Sequence, residues 1–125
     1  MKIRTGIELA VVAAASLWLG TPAMAQSLQI LAPDCRAPEA PNIPDGASAT
    51  EDQLGATQTK VKAYLADADE YVNCLEKAKT SLGDTIQPEQ EHVLVSAQNL
   101  MVDTMHATGD MFNAAVKKYK ARETN

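Results

Sequence analysis

Between Thr50 and Leu82 the apolar residues recur at a helical spacing. Leu54, Val61, Ala68, Leu75 and Leu82 stand seven apart, with Leu65 and Val72 between them. A seven-residue repeat keeps one narrow seam on one side of a helix, so the segment is expected to lie along a second helix. Thr50 is the expected N-cap, because Gln53 three residues on completes a capping box and Glu51 and Asp52 suit the positive end of the helix dipole. Gly83 supplies the stop, as a residue that tolerates the backbone after a last turn. At ~1.5 Å per residue the rod is roughly 48 Å long, and a helix of this composition needs a partner to persist.

The partner follows directly. Pro88 fits a first helical turn, Glu89 and Glu91 suit its N-terminus, and Lys117, Lys118, Lys120 and Arg122 suit the far end. Plotted at 100° per residue, Val93, Leu94, Ala97, Leu100, Met101, Met105, Met111, Phe112, Ala115, Val116 and Tyr119 share one broad face, predicting a second helix over about 88–121. The short connection 84–87 makes the two helices antiparallel neighbours. Their heptad rows then meet in mirror order: Leu75 with Leu94, Ala68 with Met101, Val61 with Thr108, and Leu54 with Ala115. Gly109 is the weak point of the second helix, costing about 1 kcal/mol against Ala.

Upstream, Ser27 to Ala32 specifies no structure and is expected to be a flexible start. Cys35, Pro38, Pro41 and Pro44 then fall at intervals of three, the turn period of polyproline II, so that all four side chains share one edge of an extended arm. Ile43-Pro44-Asp45-Gly46 reads as a turn leading into the helix at Thr50. Cys74 lies ~36 Å along that helix from Thr50, and ten residues of polyproline II from Cys35 to Asp45 cover roughly 31 Å. An arm folded back on the helix therefore brings Cys35 and Cys74 together. Tyr64 and Tyr71, ~10.5 Å apart on the helix, can alternate with prolines ~9.3 Å apart.

The first residues belong to a different class of signal. Lys2 and Arg4 precede an apolar run from Leu9 to Leu19, and Ala23-Met24-Ala25 offers the small residues that a signal peptidase reads. Residues 1–25 are thus expected to be a signal peptide cleaved after Ala25, the apolar run being shorter than the ~20 residues of a membrane span. The residues before Cys35, Ala32-Pro33-Asp34, do not fit a lipidation signal. The expected product is soluble and periplasmic, with no integral membrane segment in the mature chain. In that oxidising compartment two cysteines in a small domain form a disulfide, here Cys35 to Cys74. Removing Lys2, Arg4 and Glu8 from 11 basic and 16 acidic residues leaves 9 and 15, a net charge of −6. So acidic a chain carries no electrostatic footprint for nucleic acid.

No catalytic chemistry is evident in the pattern. The two histidines, His92 and His106, both lie on the second helix, and no nucleophile with a base, Gly-rich phosphate loop or Ser-centred elbow accompanies them. No catalytic, cofactor-binding or metal residues are assigned, and no cofactor is expected. Met101, Met105, His106 and Met111 resemble copper ligands in type, but they point to different sides of the helix; the methionines read as core filler. Asn99, Asp103, His106 and Asp110 do share a face, and they carry the alternative of a divalent-metal-binding or sensing protein.

The pattern Cys35-x-x-Pro38-x-x-Pro41-x-Ile43-Pro44-x-Gly46, followed by Thr50 and by Tyr71-x-x-Cys74-Leu75, resembles small exported bacterial proteins of uncharacterised function. The resemblance covers Cys35 to Leu75 and implies a shared build with no activity attached. The expected architecture is all-α: an antiparallel two-helix hairpin over 50–121, with helices about 50–82 and 88–121, and a polyproline II arm over 26–49 tethered by the disulfide. The expected function is a non-catalytic periplasmic structural or interaction protein. Its partner would be a second copy or another periplasmic protein, bound through the apolar faces of the hairpin.

Overall fold

A computed structural model describes residues 23–124. The described chain is helical: α1 (Ala23–Leu31), α2 (Glu51–Leu82), a short 3-10 turn (Gly83–Thr85) and α3 (Pro88–Glu123). The expected signal peptide lies outside the described residues except for Ala23–Ala25, which form the first turn of α1. No described helix is long and apolar enough to cross a membrane.

The ends of α2 form as their residues dictate. The Gln53 N–H donates to Thr50 Oγ1 at 3.2 Å and the Thr50 N–H donates to Gln53 Oε1 at 2.8 Å, satisfying two otherwise orphaned donors. At the other end Gly83 takes φ 51°, a left-handed angle that costs glycine little, and its N–H donates back to the carbonyls of Lys79 and Thr80. Pro88 opens α3 where a missing N–H costs nothing, and the Gln87 N–H finds Gln90 Oε1 at 2.9 Å.

α2 and α3 pack side by side, with contacts that run in opposite senses along the two helices. Tyr64 meets Met101, Val72 and Glu76 meet Gln98, and Leu54 shares a cluster with Ala115. On α3 the buried positions are Leu94, Met101, Thr108 and Ala115, a strict seven-residue row. On α2 they are Leu54, Thr57, Val61, Tyr64, Ala68, Tyr71 and Leu75, alternating steps of three and four. Here the structure differs from the expected seam. Leu65 and Val72 are only half-buried, and Thr57, Tyr64 and Tyr71 take the inner row instead. A step of three from Leu54, Val61 and Ala68 reaches the buried Thr57, Tyr64 and Tyr71, whereas a step of four from Val61 and Ala68 reaches Leu65 and Val72, which pack against the edge of the same cluster. The two buried hydroxyls of threonine are satisfied within their own helices, Thr57 on Gln53 O at 2.7 Å and Thr108 on Thr104 O at 2.8 Å.

The expected flexible start at Ser27–Ala32 is replaced by α1, which packs on α3. Leu28 and Leu31 join the main cluster beside Ala32, which is 4 % exposed, together with Tyr64, Tyr71, Leu75, Leu94 and Met101. A second cluster at the opposite end joins Ala49, Leu54 and Ala115, with Ile43, Phe112 and Tyr119 against it. Between them runs the segment 35–45, which has no helix or strand.

Candidate interaction surface

Three features bear on what this fold can do: the tethered N-terminal segment, the polar faces of the helices, and the outward side of α3. The tether is covalent. Cys35 and Cys74 form a disulfide with their Cα atoms 5.6 Å apart, closing 39 residues of sequence separation. In the segment that follows, Cys35, Pro38, Pro41 and Pro44 are half-buried, whereas Arg36, Ala37, Glu39, Ala40 and Asn42 are exposed. Burial thus recurs at every third residue from Cys35 to Pro44, with Ile43 half-buried as well, so that the prolines turn inward and the polar groups outward. A surface cleft of about 470 Å³ beside the disulfide is lined by Asp34, Arg36, Pro38, Asp67, Glu70 and Tyr71. Tyr71 is 6 % exposed, and its burial raises the phenol above its usual value of 10.0.

The lower end of the segment is held by backbone and charge. The turn expected at Ile43–Gly46 is found further on: Asp45 O accepts from the N–H groups of Ser48 and Ala49, and Asp45 Oδ1 accepts from Ala47 N–H at 3.1 Å. That side-chain turn, available to Asp through its short carboxylate, outcompetes the proline-led turn. The Ala47 N–H and then Lys118, 3.4 Å away, lower the Asp45 pKa. Arg122 donates to Ala47 O at 3.1 Å and to Ala49 O at 3.0 Å, while its guanidinium lies 4.8 Å from the Tyr119 ring centre. Gly46 sits so close to α3 that a Cβ there would stand 1.8 Å from Ala115 O.

The polar faces offer no gathered chemistry. Asn99, Asp103, His106 and Asp110 are all exposed, and no group of three or more His, Cys, Asp and Glu side chains is placed to hold a metal ion among the described residues. The reason is rise: Asp103 and Asp110 share a face but lie ~10.5 Å apart along the axis, too far for one ion. Glu76 accepts from Lys79 at 2.8 Å and from Gln98 at 3.1 Å, which lowers its pKa and spans α2 to α3. His92 is exposed as well.

The outward side of α3 is of another kind. The broad apolar face expected there is only partly used: Met101 is buried against the Tyr64 hydroxyl, 3.7 Å away, whereas Leu100 is 68 % and Met111 52 % exposed. Met111 is therefore not core filler, in contrast to Met101. Reading outward on the helix, Val93, Ala97, Leu100, Thr104, Ala107, Met111 and Ala114 repeat in alternating steps of four and three without one charge. α1 lies over the first part of this row. Met24, Leu28, Val93, Ala97 and Leu100 line an apolar groove of about 270 Å³ between the two helices. Beyond Leu100 nothing described covers the row. Sequence reasoning placed Leu100 and Met111 on the apolar face but could not say which part of that face the N-terminal segment leaves open.

Comparison of the chain with protein-family models, with curated proteins and with solved structures finds no match.

Proposed function

We propose that the chain is an exported, non-catalytic interaction protein: an antiparallel helical hairpin, braced by a polyproline II arm, that presents the outward row of α3 to another helix. The observation that carries this reading is the uncharged row from Leu100 to Ala114, whose Leu100 and Met111 remain 68 % and 52 % exposed. Large apolar side chains left in water at a coiled-coil spacing are costly for the isolated molecule and favourable once a helix is laid on them. The elsewhere charged surface of α2, with Glu51, Asp52, Lys60, Lys62, Asp67, Asp69 and Glu70 all outside the seam, offers no rival apolar surface of that length. The Cys35–Cys74 disulfide supports the exported part of the reading, since such a bridge persists in an oxidising compartment.

Oxidative footprinting tests the proposal. Met111 is expected to oxidise readily in dilute purified protein and to be protected in concentrated protein or in periplasmic extract, while buried Met101 stays protected throughout. Equal oxidation of Met111 in every condition would remove the reading.

A further inference from the structure

We infer that the occupant of the outward row of α3 is a second copy of this chain, its own α3 laid antiparallel across a two-fold axis that passes between Thr104 and Ala107. The inference rests on the proposed interaction role and names its partner. A two-fold contact needs one surface that complements itself. The row does so by size. Plotted at 100° per residue, Leu100, Thr104, Ala107 and Met111 fall within about 60° of one another, a single strip. Placed antiparallel about that axis, Leu100 faces the partner's Met111, and Thr104 faces the partner's Ala107. The large side chains, both exposed in the single chain, fill the outer positions, and small ones at the crossing allow the backbones to approach.

Charge selects the orientation. The first turn of α3 carries Glu89 and Glu91, its last turns Lys117, Lys118, Lys120 and Arg122. Antiparallel pairing brings the acidic start of one α3 level with the basic end of the other and opposes the two helix dipoles. Parallel pairing would set like ends side by side. The row is most open from Leu100 onward: Val93 and Ala97 are half-buried beside Leu28 of α1, whereas Leu100, Ala107 and Met111 are exposed. The contact is therefore short and centred where the axis is placed. α2 offers no uncovered apolar strip to fit it, since its outer positions at the same spacing, such as Lys62 and Asp69, are charged, and α1, though Met24 and Ile30 are exposed, is only nine residues long.

The register leaves a mark at the rim, where Asp103 flanks the row beside the partner's Asp110, both exposed. Like charges opposed across a contact are relieved by screening. Asp103→Asn is therefore expected to tighten the dimer severalfold at low salt, and the gain to shrink as monovalent salt screens the pair.

Sedimentation equilibrium of the protein, purified with its disulfide intact, is the test. Twice the chain mass is expected at about 10–100 μM, a modest affinity suited to a short contact. Leu100→Glu and Met111→Glu are each expected to weaken association roughly a hundredfold or more, because the substitution acts twice in a symmetric dimer. Val102→Glu, on the other side of α3, is expected to leave it unchanged. Circular dichroism and the mass of the bridged peptide confirm that each variant is folded. Mixing Thr104→Cys with Ala107→Cys chains should give a mixed crosslink in preference to either self-crosslink. An Asp103→Asn chain that associates no more tightly at low salt, or a dimer crosslinking through Thr104→Cys alone, overturns this arrangement. A strict monomer whose Met111 is nevertheless protected in extract overturns the second copy and leaves the interaction role standing; a strict monomer with Met111 unprotected removes both.

Discussion

Gly46 shows how one residue can be fixed by a contact far away in sequence. Its α-carbon lies against the backbone of Ala115, and a methyl group there would fall 1.8 Å from a carbonyl oxygen that cannot move without displacing α3. Gly46→Ala is therefore expected to cost about 1–3 kcal/mol, the usual range for overpacking, read as a lowered midpoint in urea. Gly55→Ala, with nothing within 4 Å of the added carbon and a helical site, should stabilise by up to about 1 kcal/mol. The need for glycine at 46 could not be read from the sequence, where it resembles any turn glycine. Tyr71 gives a pH signature. Burial raises its phenol above 10.0, so the folded state holds the proton more tightly than the unfolded one. Its contribution is fully present below the unfolded value and is lost as pH rises through the folded one. Stability should consequently fall above pH 10, and Tyr71→Phe should flatten that fall when thermal midpoints are compared between pH 8 and pH 11.

At the scale of elements, legibility follows how local the determinants are. α2 runs from Glu51 to Leu82, as its capping box and its glycine stop foretold, because both ends are fixed by residues within one turn. Thr50→Ala is expected to remove about 1 kcal/mol, detectable by chemical denaturation, since the Gln53 N–H then loses its acceptor. The row Leu94, Met101, Thr108 and Ala115 was likewise readable, because a seven-residue period and a short connection leave one register in which α3 can fill the seam. α1 was not readable. Its nine residues carry no acidic first turn and bury nothing completely; what orders them is a groove on α3 that exists only after folding. The place of Leu65 and Val72 was misjudged for a similar reason. Aliphatic Leu65 and Val72 look like seam residues until the N-terminal segment covers Tyr64 and Tyr71 with Ala32 and its neighbours. Composition alone cannot show which side of a helix a third element will choose.

Across the whole molecule, the N-terminal segment is anchored at two ends by unlike means, and the anchors should be separable. The upper end is the Cys35–Cys74 bridge beside Ala32, and the lower end is Gly46, Asp45 and Arg122 on α3. Each end has its own buried cluster, one around Leu75 and Leu94 and one around Leu54 and Ala115. In the chain-entropy description a bridge across 39 residues is worth about 4 kcal/mol, a large share of the stability of so small a domain. The seam between α2 and α3 does not pass through either cysteine, so the paired Cys35→Ser and Cys74→Ser chain should remain helical by circular dichroism while losing roughly that amount. Two sets of amides report the ends independently: Ala32 and Cys35, bonded to Leu28 O and Ala32 O, above; Ser48 and Ala49, both bonded to Asp45 O, below. Removing the bridge should speed hydrogen exchange at the first pair and leave the second nearly unchanged, whereas Arg122→Ala should do the reverse, because Arg122 holds the carbonyls of Ala47 and Ala49. If both pairs accelerate together in either variant, the arm opens as one cooperative unit, and the two clusters do not hold it separately.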